Sequence, residues 1–243
     1  MDAVTLATAP DGPRSGAVTV FRLIQAVIAV VIGACLIVQI ALILSGGADA
    51  NSVDAEDATP ILERLRRLFS YFTVQSNLLV LVTAAVLARD PWHDGRVWRV
   101  VRFDALLGIL ITGIVYALVL APQAHLEGVA LAINVGLHYV SPWLTVAAWL
   151  VFGPRAQLGW RTVIAGFIWP LAWIGYTFLQ GALTEWYPYP FLDVTELGLG
   201  AALRNAGLIL LLGAGFAVVF QWLDDRLPSL LRTGSKGGLT FGR

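Results

Sequence analysis

The sequence predicts an all-α polytopic membrane protein, with six transmembrane helices and both termini cytoplasmic. Three observations predict it. Of 243 residues, 58% are hydrophobic and only 13% charged, and the mean hydropathy is +0.75. A soluble domain of this length carries about twice that share of charge. The apolar residues also fall into long blocks instead of alternating or recurring at helical spacing. Finally, the cations are distributed unevenly between the segments that join the blocks. The formal net charge is zero, which argues against nucleic acid as a partner. The single cysteine, Cys35, lies inside an apolar block and excludes both an internal disulfide and a cysteine-rich metal site.

Residues 23–44 follow Asp2 and Asp11 and are apolar enough to stay in the membrane, so they read as a retained first span and not a cleaved signal. Spans are expected at about 20–44, 70–88, 104–121, 130–152, 163–181 and 204–223, all within one domain over 1–243. The shortest hold about 18 residues, enough at 1.5 Å each to cross a core of ~30 Å. The Gly-rich tail TGSKGGLTFGR is expected to be mobile. With the N-terminus inside, the inner segments hold Arg14, Arg22, Arg89, Arg96, Arg99, Arg102, Arg155, Arg161, Arg226, Arg232, Lys236 and Arg243, twelve of the sixteen cations. That excess sets the orientation. Trp92, Trp98 and Trp160 fit an inner aromatic belt. Fifteen of the sixteen cations are Arg, which points to a GC-rich bacterial genome and hence a bacterial cytoplasmic membrane.

Arg64, Arg66, Arg67 and Arg204 are left outside. The first three lie in TPILERLRRLFSYFT, where Thr59 suits an N-cap and Pro60 a first turn. Ile61, Leu65, Leu68 and Phe72 recur at helical spacing, which predicts an amphipathic approach along the interface. Its arginines serve either as an anchor or as a collar for carboxylate or phosphate head groups.

Beyond that approach, the stretch FTVQSNLL carries Thr73, Gln75, Ser76 and Asn77 where hydrocarbon offers no water. Thr73 lies 16 residues before Arg89 and His138 lies 17 before Arg155, so both sit ~24–25 Å from the inner face. Thr73 and Asn77 share a helix face, with Ser76 beside them, and so do Asn134 and His138. Gln39, Tyr116, Tyr176, Gln180, Arg204 and Asn205 reach similar depths from other spans. Pro142 cannot bond the carbonyl of residue 138, so the fourth span should kink there, and Pro170 should free the carbonyl of Gly166 likewise. Polar groups of this kind also hold membrane helices together, for about 0.6 kcal/mol per bond. An ionisable residue inside a span more often marks a site. His93 and His125 lie in loops and receive no role.

A threonine hydroxyl needs a base, and a neutral imidazole suits that task near pH 7. A Thr73–His138 pair could attack an ester and form an acyl-enzyme, with Asn77 and Asn134 steadying the oxyanion or the imidazole. Asp193 is the one candidate for a third, carboxylate member. The loop GALTEWYPYPFLD, with Trp186, Tyr187, Tyr189 and Phe191 on a backbone held extended by Pro188 and Pro190, suits either a lid or a belt anchor. With one intramembrane histidine and no HExxH, no metal and no cofactor is expected.

Three motifs in order, YFTVQSNLLV, NVGLHYVSP and WYPYPFLD, resemble the androgen-induced protein family, which includes the androgen-dependent TFPI-regulating protein and bacterial six-span relatives. The resemblance covers roughly 20–223. It implies an intramembrane threonine hydrolase that cleaves fatty acid esters of hydroxy fatty acids, with Thr73 as nucleophile and His138 as catalytic histidine. It also matches Asn134 to the asparagine four residues earlier. The animal members carry Asp where Ser76 or Asn77 stands. Ser76 then remains an oxyanion or orienting candidate, and Gln39, Tyr116, Tyr176, Gln180, Trp186, Tyr189, Arg204 and Asn205 remain candidates for binding a lipid ester. The rival reading is a lipid-binding or transport protein that uses the same polar level without covalent chemistry. Nothing in the sequence indicates the oligomeric state.

Overall fold

The computed structural model describes residues 15–46 and 59–231. The acidic lead, residues 47–58 and the Gly-rich tail lie outside them. The chain forms α1 (Ser15–Leu44), α2 (Ile61–Ser70), α3 (Phe72–Arg89), α4 (Arg96–Val115), α5 (Gly128–Val135), α6 (Ser141–Phe152), α7 (Trp160–Ala165), α8 (Ile168–Thr184), α9 (Val194–Leu197) and α10 (Leu199–Arg226). Among the described residues, six helical stretches are long and apolar enough to cross a membrane: Ser15–Leu44, Phe72–Arg89, Arg96–Gln123, Gly128–Phe152, Trp160–Thr184 and Leu199–Arg226. The third begins eight residues before the hydropathy block does. Arginines do not break helical hydrogen bonding, and their stems run along apolar surface. Asp104 therefore lies two turns inside a span and not at its edge.

α1 shows how lipid and protein faces are shared. Phe21, Gln25, Ile28, Ile32, Leu36, Gln39 and Ile43 form its buried stripe, while Leu23, Val30 and Ile37 recur on the exposed side. The buried stripe joins Val74, Val80 and Ala84 of α3, Ala105 and Ile109 of α4, and Ile133 of α5 in one core. Lipid is as apolar as leucine, so close packing decides association here. Glycines supply it. A Cβ on Gly136 would stand 2.4 Å from Cys35 Sγ, and one on Gly113 2.8 Å from Pro142 Cβ.

A break separates the approach helix from the second span. α2 and α3 meet at Tyr71, whose backbone is extended (φ −66°, ψ 131°). The break strands the carbonyls at the end of α2, and side chains take them up. Trp173 Nε1 donates to the Ser70 carbonyl at 2.9 Å and Gln75 Nε2 to that of Phe69 at 3.0 Å. Gln75 Oε1 accepts from Trp169 Nε1 at 3.1 Å. One of the four polar residues in FTVQSNLL is thus explained as repair of a helix break.

The approach helix differs from expectation at its start. Pro60, and not Thr59, occupies the capping position, and no side chain caps it. Arg64 and Leu68 form its buried face, whereas Ile61 is half exposed and Phe72 belongs to α3. Arg64 donates to the Ile43 carbonyl at 3.2 Å, at the negative end of α1, and so acts as a clamp between helices instead of a collar. Arg66 and Arg67 both bond Glu63 and stand 5.5 and 5.1 Å from the Trp186 ring. The bond from Arg66, joined by that from Arg67, outweighs burial, which acts the other way, and leaves the Glu63 carboxyl well below its ordinary 4.5, at about 2. A depressed pKa of this kind contributes stability above the unfolded value and loses it as pH falls through the folded one. The thermal midpoint of the protein should therefore exceed that of Glu63→Gln by a constant margin above about pH 5. The margin should close as pH drops toward 2. Parallel melting curves over the whole range would dispose of this reading.

Both proline expectations correspond to local changes of helix type. Gly136–Val140 forms a π-helical turn just before Pro142, with Ser141 N–H bonded to the Gly136 carbonyl five residues back. Tyr116–Leu120 does the same before Pro122, with Ala121 N–H bonded to Tyr116. In each span the proline ring crowds the carbonyl four residues earlier, and one widened turn relieves it. The fifth span breaks at Gly166–Phe167, ahead of Pro170.

Gly181 in α8 receives the Tyr187 ring of the following loop, where a Cβ would lie 2.1 Å from a ring carbon. Gly181→Ala should destabilise the protein by about 1–3 kcal/mol. Removing the ring with Tyr187→Ala in the same chain should recover part of that loss. Thermal midpoints of the single and double variants decide it.

Candidate active site

Thr73 occupies the first turn of α3, and His138 the π-helical turn of the fourth span. Thr73 Oγ1 lies 3.3 Å from His138 Nε2, with the two residues only 4% and 3% exposed. His138 Nδ1 lies 3.2 Å from the Asn134 carbonyl oxygen. A carbonyl can only accept, so Nδ1 carries the proton and Nε2 presents its lone pair to the threonine hydroxyl. That is the tautomer a general base requires. The separation belongs to the looser range of resting catalytic pairs. Tyr116 stacks on the imidazole, with ring centroids 4.0 Å apart and planes 26° apart, and its phenol bonds the Asn134 side chain.

A third group completes the arrangement, and it comes from the aromatic loop. Tyr189 Oη accepts from Thr73 N–H at 3.1 Å and lies 3.2 Å from Thr73 Oγ1. Its ring is wedged among Tyr71 (5.7 Å), Trp173 (6.0 Å) and Phe191 (5.1 Å). The phenol oxygen thus accepts the backbone N–H and stands within hydrogen-bond distance of the threonine hydroxyl. The start of α3 adds the positive end of a helix dipole at the same point. The arrangement thus holds a hydroxyl, a base on one side of it and two hydrogen-bond donors on the other.

The other candidates divide. Asn77 donates to the Thr73 carbonyl at 2.9 Å and to the Leu137 carbonyl at 3.2 Å. Both its N–H groups are used, so it ties the second span to the fourth and is no oxyanion donor. Asn134 orients the imidazole through its main chain, not its amide. Ser76 is buried against α4, its hydroxyl 3.1 Å from where a Cβ on Gly108 would stand, and is not joined to the pair. Asp193 is no third member either. Its carboxylate caps α9, accepting from Thr195 and Glu196 N–H. Tyr176 and Gln180 meet at Ser70, whose hydroxyl lies 2.7 Å from Tyr176 Oη and 3.0 Å from Gln180 Oε1. Gln180 also bonds the Trp186 carbonyl at 2.9 Å, and Asn205 the Phe191 carbonyl at 2.9 Å. These residues fasten the loop that carries Tyr189. Gln39 is buried on α1, Arg204 is exposed on α10, and neither lines the cavity described next.

The cavity opens from Thr73, Tyr116 and Tyr189 and has a volume of about 80 Å³. Its wall is almost wholly apolar, including Leu107, Ile111, Trp169, Trp173, Ile209 and Leu210. Among the described residues no group of three or more His, Cys, Asp or Glu gathers that could hold a metal. Sequence reasoning reached Thr73 and His138 by their shared depth, but gave Tyr189 only a general binding role. It passed over Asp104, which lines the same cavity. The signal for Asp104 was present as a lone carboxylate next to an apolar run, taken for the edge of the span. No family model, no curated protein and no solved structure matches the chain.

Proposed function

We propose that the protein is an intramembrane esterase that cleaves lipid esters through an acyl-threonine intermediate. The observation that carries this reading is the hydroxyl of Thr73 at 3.3 Å from an imidazole nitrogen whose tautomer is fixed from behind. Thr73 Oγ attacks the ester carbonyl carbon as its proton passes to His138 Nε2. Tyr189 Oη–H, with the first-turn N–H of Thr73 once it is released from the phenol, donates to the oxyanion. When the tetrahedral adduct collapses, the C–O bond breaks and the imidazolium returns its proton to the leaving alkoxide, releasing the alcohol. Water, deprotonated by His138, then attacks the acyl-threonine, and the carboxylic acid leaves as Thr73 is regenerated.

The resemblance of YFTVQSNLLV, NVGLHYVSP and WYPYPFLD to the androgen-induced protein family agrees with this chemistry, with Thr73 and His138 at the matching positions. It favours fatty acid esters of hydroxy fatty acids as the substrate class. The excess of arginine at the opposite ends of the spans supports a site in the outer third of the membrane, with cytoplasmic termini and a bacterial cytoplasmic membrane as its setting. The purified protein should be labelled on Thr73 by a fluorophosphonate and should release free acid from such an ester. A protein that retains the lipid with neither labelling nor acid release would be a binding or transport protein, and the esterase reading would fall.

A further inference from the structure

The cavity that starts at Thr73 has an acid at its other end. Asp104 lines it, is only 8% exposed, and its Oδ1 has no hydrogen-bond partner. The nearest cation in sequence, Arg102, bonds Gln157 Oε1 at 3.2 Å instead. Space for the carboxyl is made by Gly166 at the break in the fifth span, where a Cβ would stand 2.8 Å from Asp104 Oδ1. Thr112, two turns further along α4, faces the same cavity and its Oγ1 is likewise unpartnered.

A buried oxygen acceptor without a donor costs on the order of 1–3 kcal/mol, and more when charged. The rest of the wall near it is apolar, with Gly108, Phe167 and Gly213, and supplies no donor to it. Ser76, whose hydroxyl lies 3.1 Å from where a Cβ on Gly108 would stand, marks a level shared by the antiparallel α3 and α4, with Thr73 about one turn outward of it and Asp104 about one turn inward, which at 1.5 Å per residue separates the acid from Thr73 by roughly 10 Å along the bundle. An extended chain of about eight to ten carbons covers that distance. An unsubstituted acyl chain would fill the tunnel and leave the acid unsatisfied.

We propose that Asp104 is a specificity residue that accepts a hydrogen bond from a hydroxyl near the far end of the bound acyl chain, so that the preferred acyl group is an ω-hydroxylated one. This rests on the esterase reading for its catalytic consequence, but the binding preference does not depend on catalysis.

The test compares two p-nitrophenyl esters of equal length, about eight to ten carbons, one ω-hydroxylated and one plain. The wild type should favour the hydroxylated ester by roughly tenfold in kcat/KM, the value of one such hydrogen bond, and mostly through KM. Asp104→Leu should bring the ratio of the two kcat/KM values to about one. Asp104→Asn, which keeps an acceptor oxygen in the same shape, should retain part of the preference. In parallel, the shift in thermal midpoint produced by ω-hydroxylated and plain methyl esters of the same length is read on Thr73→Ala, with and without Asp104→Leu. The hydroxylated ligand should stabilise the protein more, and only when Asp104 is present. Binding preference without hydrolysis would remove the esterase reading and keep this one. Hydrolysis with equal kcat/KM for the two esters in the wild type, or a preference unchanged by Asp104→Leu, would overturn the proposal.

Discussion

Thr73→Ala should abolish both fluorophosphonate labelling and ester hydrolysis, with a fall in kcat on the order of 10⁴-fold or more. The substitution removes one oxygen and one methyl group from a side chain tied to His138 and Tyr189. It leaves the helix, the Thr73 N–H and the Asn77 cross-link to the Thr73 carbonyl in place. Substrate affinity and the thermal midpoint should therefore change little, which separates loss of chemistry from loss of fold. His138→Ala should fall to a similar floor, because the hydroxyl without its base is a poor nucleophile. The double variant should be no slower than the worse single one, since residues that act as a unit do not add. Hydrolysis by Thr73→Ala at the rate of the unchanged protein would remove the threonine from the mechanism.

Pro142→Ala should cost at least about 100-fold in hydrolysis while leaving the protein as stable as before, or more so. Alanine restores the N–H and removes the ring, so residue 142 can bond the carbonyl of His138 as in a regular helix. The widened turn at Gly136–Val140 then loses its cause. Removing one π-turn rotates the helix before it by about 100° relative to the helix after it. Such a rotation carries the imidazole away from Thr73, and misplacement by even 1 Å costs about 100-fold. Alanine keeps the Cβ that meets Gly113, so the packing of the fourth span on α4 survives. Activity and thermal midpoint measured on the same preparation give the result. Full activity in a protein that melts higher would mean that packing, and not the proline, sets the place of His138.

Much of this arrangement was legible before any coordinates, for definite reasons. Hydropathy identifies what must lie in lipid, and a fixed rise per residue converts sequence distance into depth. Thr73 and His138 could thus be matched in depth although they lie 65 residues apart. The prolines could be read because a missing N–H has the same consequence in any helix. The same arithmetic failed at the edges of spans. There the helix continues through Arg96, Arg99 and Arg102, and the acid at 104 was taken for a boundary.

The sequence by itself determined the six apolar helices and the shared height of Thr73 and His138. Only the tertiary structure decided what each polar group is used for. Asn77 spends both donors on carbonyls, Asp193 caps a short helix, and Tyr189 reaches Thr73 from a loop pinned by Gln180 and Asn205. The reason is that helical periodicity specifies height and face, whereas a hydrogen bond in hydrocarbon needs a particular partner at contact distance. Which helix stands beside which, and where a loop returns, is set by packing among all the spans at once.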